Sequence, residues 1–127
     1  TSQEIAFSDA IAKKTKHPCL VLTGCLSLKV TAAVLSLVDI LVAPDTGPVH
    51  IANSLSTPVV GLYAVASPVW CGPYASQNSV VNRYPDAVVK FLSKDPSSTP
   101  WGLRVHHPDV MSLITVDDVL QKIKDIL

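Results

Sequence analysis

The chain has 127 residues, of which 48% are hydrophobic, and its mean hydropathy is +0.37. This composition supports one buried core and excludes a disordered chain. Ten basic and ten acidic residues give zero formal charge with no basic block, which argues against nucleic acid as a partner. No apolar run reaches the roughly 18 residues of a membrane span, and no signal-peptide pattern opens the chain, so a cytoplasmic location is expected.

Helices and strands are predicted to alternate over the first half of the chain. The predicted elements are a helix from residue 3 to before Pro18, a buried strand over 19–24, a helix over 28–38 capped by Ser27, a strand buried on both faces over 39–43, a helix over 49–56 and a strand over 58–64. This alternation predicts an α/β fold with a Rossmann-like parallel sheet and flanking helices.

The second half of the chain is less regular. A strand is predicted over 79–83, and residues 93–109 read as a long irregular segment. Loops of this length in a small domain are functional or packed against something. A final helix is predicted over 116–127, capped by Thr115, with acidic residues in its first turn.

Three cysteines, Cys19, Cys25 and Cys71, are an odd number without C-x-x-C spacing. This pattern argues against a disulfide framework and against a zinc site. We interpret them as reduced thiols, with Cys19 in the core.

Histidines and tryptophans near the end of the chain favour structural roles over ligand binding. His106 and His107 precede Asp109, but adjacent side chains rarely point at one ion, so a surface loop is the better interpretation. Trp70 and Trp101 could stack on a ring, yet tryptophans in loops more often anchor the loop to the core.

The sequence "PDTGPVH", residues 44–50, joins a predicted strand to a predicted helix. Ligands of open parallel sheets bind beyond the carboxyl ends of the strands, where helix N-termini attract anions. Asp45 or Thr46 can cap this helix, Gly47 allows close approach of a ligand, and Pro48 suits the first turn. The same residues also build a helix start that binds nothing, so both interpretations stay open.

His50 favours the binding interpretation. The helix dipole opposes the charged form of a histidine in the first turn, whereas an imidazole beside a bound phosphate is a useful donor. Asp45 would repel a diphosphate unless it caps amide groups or pairs with His50. We therefore interpret Asp45 as an organiser of the loop.

Three motifs, "DTGPVHIA", "TPVVGLYA" and "SP…GPY", lie between residues 22 and 74. Over this region the chain resembles the C-terminal half of the family 9 glycosyltransferases, the ADP-heptose:lipopolysaccharide heptosyltransferases. The resemblance implies the GT-B arrangement, in which two Rossmann-type domains face each other across a cleft. Residues 1–127 would then be one C-terminal nucleotide-sugar-binding domain, and the N-terminal acceptor domain would be absent from this chain.

The resemblance also implies roles for individual residues. The expected diphosphate loop contains Asp45, Thr46, Gly47, Pro48 and His50. Leu26 falls where the family holds adenine through backbone groups. Glu4 falls near an acidic residue that binds the ribose, although an exposed acid at a helix start is the simpler reading.

The implied reaction is inverting transfer of heptose from ADP-heptose to the lipopolysaccharide inner core, with His50 as the catalytic residue of this half. No metal or cofactor is expected. The general base would be an aspartate of the other domain, so the chain alone should be inactive. The implied partners are the nucleotide sugar and the lipopolysaccharide acceptor, with the enzyme in the cytoplasm or peripheral at the inner face of the inner membrane.

Some positions depart from the family pattern. Cys25 replaces a common Lys or Arg, Ala64 and Ala66 replace a Gly and a Thr, and "RVHHPDVM" replaces a segment that often carries cysteines. These departures leave open two alternatives: a non-catalytic nucleotide-binding or regulatory Rossmann-like module, and another GT-B glycosyltransferase with a different nucleotide-sugar donor.

Overall fold

The computed structural model describes residues 2–127. The helices are α1 (Ser2–Lys14), α2 (Leu28–Leu35), α3 (Gly47–Ser54), α4 (Pro68–Cys71), α5 (Tyr84–Leu92) and α6 (Val116–Ile126). The strands are β1 (Leu41–Pro44), β2 (Val59–Tyr63) and β3 (Val81–Asn82), and short 3-10 helices cover Tyr74–Ser79, Pro96–Ser98 and Val110–Leu113. The strands form a parallel sheet in the order β1-β2-β3. The predicted Rossmann-like α/β fold is confirmed.

The central strand β2 organises the sheet. It pairs with β1 from Leu41 opposite Val59 to Pro44 opposite Leu62, and with β3 at its carboxyl end. Helix α3 makes the crossover from β1 to β2, as the alternation of elements predicts. Four of the five residues of β2 are buried, because the strand has neighbours on both sides.

The strand predicted over residues 19–24 is wrong. That segment is irregular, and Cys19, which we expected in the core, is exposed. Consequently β1 lies at the edge of the sheet, and its residues alternate between half-buried and exposed, with Val42 39% exposed. The prediction that this strand is buried on both faces is also wrong. A strand is buried on both faces where helices cover both sides of the sheet, and at the edge position of β1 this cover is incomplete.

Hydrogen bonds to side chains define both ends of α2. The Ser27 hydroxyl accepts from the Val30 amide at 3.4 Å, which confirms the predicted cap. The helix ends at Leu35, three residues before the predicted end. There the buried Thr57 hydroxyl donates to the Leu35 carbonyl at 2.7 Å and ties α2 to the turn before β2.

Helix α5 was not predicted. Its inward face carries Ala87 and Val88, both fully buried, which pack with Val105 and Val110 of the C-terminal segment. A proline in the first turn and a left-handed Ser93 (φ 52°) bound the helix. The C-terminal segment is therefore held on the domain by α5.

Helix α1 carries no buried residue. Its apolar side chains Ile5, Phe7 and Ile11 are 43%, 61% and 63% exposed. The Ser8 and Thr23 hydroxyls, 2.5 Å apart, connect this helix to the irregular segment over residues 19–24. Within residues 2–127, no helix combines the length and apolar character that crossing a membrane requires.

The predicted cap of α6 is confirmed and belongs to a wider hydrogen-bond network. Thr115 and Asp118 form a reciprocal capping box, with the Thr115 amide 3.0 Å from the Asp118 carboxylate and the Asp118 amide 3.1 Å from the Thr115 hydroxyl. Arg83 donates to both carboxylate oxygens of Asp118, at 2.6 and 3.2 Å. This bidentate pair fixes α6 against the end of β3.

We expect Asp118 to make stability depend on pH. Hydrogen bonds from Arg83, and then from Thr115, lower the pKa of its carboxyl from 3.8 to about 2. Because the pKa is lower in the folded state, this contribution is complete above pH 3.8 and is lost as the pH falls through about 2. Urea unfolding of the wild type and Asp118→Asn should differ at neutral pH and converge near pH 2. A difference that is constant across this range would contradict the prediction.

Candidate functional site

The candidate site lies where two strands end at the same edge of the sheet. β1 ends at Pro44 and β2 at Tyr63, and the two strands are parallel. Residues 44–50 pass directly from β1 into the first turn of α3. The structure thus places residues 44–50, called the corner below, at the carboxyl edge, where open α/β sheets bind ligands.

The start of α3 has no side-chain cap in the part of the chain that the structure describes. Thr46 is the N-cap residue, but its hydroxyl donates back to the Pro44 carbonyl at 3.2 Å. Thr46 therefore occupies the predicted N-cap position, but neither Thr46 nor Asp45 supplies the side-chain hydrogen bond expected of a cap. Pro48, at the second helical position, has no N–H, and the Val49 amide bonds to the Thr46 carbonyl at 3.1 Å. The positive end of the helix thus faces outward without a side-chain anion on it.

Gly47 borders open space. A Cβ atom built at this position would meet nothing within 4 Å, and Gly47 does not have a positive φ. Neither packing nor backbone strain within the protein therefore requires glycine here. His50, one turn further along α3, is exposed. Both observations fit a surface that a ligand approaches closely.

Asp45 pairs with Arg104, not with His50 or with the amides of α3. Arg104 Nη2 lies 3.2 Å from Asp45 Oδ2, and the two side chains are 45% and 21% exposed. The Arg104 guanidinium also lies over the Trp70 ring, 5.5 Å from its centroid. Sequence reasoning missed Arg104, because the two charges are 59 positions apart and no local pattern pairs them.

A cavity of about 130 Å³, called the corner cavity below, opens beside Asp45 and this ion pair. Its lining residues are Pro44, Asp45, Leu62, Tyr63, Val65, Ala66, Arg104 and Met111. Asp45 and Arg104 are the charged members of this wall. A larger cavity of about 340 Å³ lies at the other end of α3, beside Asn53 and Ser56, and has no charged lining residue. Of these two cavities, only the one beside Asp45 has a positively charged side chain, Arg104, in its wall.

Tyr63 lines the cavity, and Cys71 lies behind it, in contact with Tyr63 and Asp45. The Tyr63 hydroxyl donates to the Cys71 carbonyl at 3.3 Å, and burial raises the pKa of Tyr63. Burial, and then the negative charge of Asp45 and a hydrogen bond with it, raises the pKa of the Cys71 thiol to about 11, against the opposing charge of Arg104. The thiol is protonated at neutral pH and is not a nucleophile there.

The two residues predicted to bind the nucleoside lie on neighbouring segments. Leu26 is half-buried, directly before the Ser27 cap of α2, and α2 packs against α3. Glu4 lies in the first turn of α1, which is joined to the segment before Leu26 by the bond between Ser8 and Thr23. The structure thus places Leu26 at the start of α2, which packs against α3, the helix that begins at residues 44–50.

The aromatic residues near the end of the chain are only partly where we expected them. Trp101 is 80% exposed, so the prediction that it anchors a loop to the core is wrong. It faces the half-buried Trp70, with ring centroids 6.0 Å apart. His107 stacks on Phe91, with ring centroids 4.1 Å apart.

Residues 2–127 contain no group of three or more His, Cys, Asp or Glu placed to hold a metal ion.

Comparison with known proteins identifies the family. The sequence model of the family described as "Glycosyltransferase family 9 (heptosyltransferase)" matches residues 1–96. The chain is 36% identical over 103 residues to the protein named lipopolysaccharide core heptosyltransferase OpsX of Haemophilus influenzae, which covers 81% of this chain and 30% of that relative. No solved structure matches the chain. Because the family match covers most of the sequence, the chain belongs to glycosyltransferase family 9.

Proposed function

We propose that this chain is the donor-binding domain of an inverting heptosyltransferase that transfers heptose from ADP-heptose to the lipopolysaccharide inner core. The observation that carries the proposal is the start of α3, which has no side-chain cap and lies at the carboxyl edge of the sheet. A helix N-terminus in this position attracts phosphate through its amide groups and its dipole. The name of the Haemophilus relative supports the heptose and the lipopolysaccharide acceptor.

The diphosphate of the donor would lie against Thr46 and Gly47, with Pro48 shaping the turn and His50 donating a hydrogen bond from the exposed side of α3. When the acceptor hydroxyl attacks the anomeric carbon, ADP leaves and negative charge grows on the diphosphate. Donors fixed beside that charge stabilise the transition state more than the ground state. In this proposal these groups act without a metal ion or cofactor.

The nucleoside would extend from the corner toward α2. Adenine would contact the backbone beside Leu26, and the ribose would contact Glu4. The packing of α2 on α3 supports this placement for Leu26. Asp45 organises the loop through Arg104 in this arrangement, not as a phosphate ligand.

The acceptor and the general base would belong to an N-terminal domain outside these 127 residues. Two observations support this assignment: the chain spans 30% of the length of the Haemophilus relative, and the apolar side chains Phe7 and Ile11 of α1 are exposed. The enzyme would act in the cytoplasm, peripheral to the inner face of the inner membrane, and these residues alone would transfer no heptose.

The departures at Cys25, Ala64 and Ala66 motivate two other functions. Ala64 and Ala66 are buried, and Ala66 lines the corner cavity. The residues by which this chain departs from the pattern expected for the family would thus lie at or near the site. Another nucleotide-sugar donor would change the preferred base, and a non-catalytic module would bind a nucleotide without transfer.

An NMR titration with ADP, UDP and GDP tests the proposal. We expect ADP to shift the amide signals of Leu26, Thr46, Gly47, Val49 and His50 selectively. Equal shifts with UDP or GDP would favour another donor. No shift with any nucleotide, both in this chain and in the full-length protein, would refute the donor site.

A further inference from the structure

The strand-to-helix corner contains a carboxylate, although its helix end favours anions. Asp45 directly precedes the N-cap residue of α3, and it lines the same cavity as Arg104. A free carboxylate at this position would repel a diphosphate and would compete with it for the amide groups of α3. A positive charge beside Asp45 would offset this repulsion.

Arg104 supplies that charge from outside the corner. It lies beyond the residues matched by the family model, 1–96, in the segment that α5 holds on the domain. One of its terminal nitrogens donates to Asp45, while the Trp70 ring lies 5.5 Å below the guanidinium carbon. The face of an aromatic ring attracts a guanidinium, so Trp70 helps to hold Arg104 in this position.

We propose that Arg104 is a positioning residue of the donor site, which cancels the charge of Asp45 and holds its carboxylate away from the first turn of α3. The amide groups of that turn then remain available to the diphosphate. This inference rests on the proposed function, but it assigns to Arg104 a role that acts through Asp45 and not through contact with the donor.

Binding of ADP and adenosine to four variants tests the role of Arg104, with isothermal titration calorimetry as the measurement. Arg104→Gln should weaken ADP binding about fivefold, the scale expected for a partly exposed charge, and leave adenosine binding unchanged because adenosine has no phosphate. Arg104→Lys keeps the charge and should retain most of the affinity for ADP. The double variant Asp45→Asn/Arg104→Gln should recover affinity, since no unpaired carboxylate remains.

Lys124→Gln is the matched control. It removes one positive charge from an exposed position in the last turn of α6 and should leave both affinities unchanged. Thermal melting of each variant establishes that it is folded before the titration.

Three results would overturn the inference while the proposed function stands. Arg104→Gln could bind ADP as the wild type does, it could lose ADP and adenosine equally, or the double variant could stay as weak as the single one. The last result would mean that Arg104 contacts the diphosphate directly. A wild-type protein that binds no ADP would instead overturn the proposed function and, with it, this inference.

Discussion

His50→Ala should lower the turnover of the full-length enzyme about 100-fold while weakening ADP binding far less, on the scale seen when one donor to a developing negative charge is removed. The side chain is exposed in the first turn of α3. In the proposed binding mode, its imidazole N–H would meet the leaving diphosphate there. In the proposed reaction, the charge on the β-phosphate would be larger in the transition state than in the bound donor, so the loss should fall on kcat more than on KM.

The comparison requires steady-state kinetics and an ADP titration on the same preparation. His17→Ala is a suitable control, because His17 is an exposed histidine outside the corner. An unchanged kcat in His50→Ala would show that His50 is only a helix residue. Equal losses in kcat and in ADP affinity would assign it to ground-state binding instead.

The local sequence pattern was sufficient to predict where residues 44–50 lie in the fold, but not which charged side chain pairs with Asp45. A strand, a proline in the first turn and a short helix follow each other within residues 41–54, so period and turn residues predict them. The partner of Asp45 comes from Arg104, which is brought to the corner by the packing of α5 against Val105 and Val110. Such long-range pairing leaves no pattern in a single sequence.

Burial was the least predictable property, because it depends on neighbours. Residues 19–24 have the composition of a buried strand, yet they form none, and Cys19 is exposed. β1 then becomes an edge strand whose apolar residues are only partly covered. By contrast, β2 has the same kind of composition and is buried, since it pairs on both sides.

Tyr63→Ala should lower the free energy of unfolding by about 4 kcal/mol, because deleting a buried aromatic ring leaves a cavity in the core. Tyr63 is 1% exposed and is among the largest fully buried side chains. Its ring packs so closely on β2 that a Cβ atom at Gly61 would lie 2.5 Å from it. The ring also forms part of the wall of the corner cavity, so the loss should disorder the site as well.

Two further variants serve as controls. Tyr63→Phe tests the contribution of the hydroxyl group alone, and Tyr74→Ala tests the same substitution at an exposed position. Tyr63→Phe removes only the hydrogen bond to the Cys71 carbonyl and should cost about 1 kcal/mol. Tyr74→Ala makes the same change at a side chain that is 92% exposed and should cost less than about 0.5 kcal/mol. Urea unfolding at neutral pH gives all three values. If Tyr63→Ala cost no more than Tyr63→Phe, the ring would contribute nothing beyond its hydroxyl, and the tight packing between Tyr63 and Gly61 would not be a determinant of the fold.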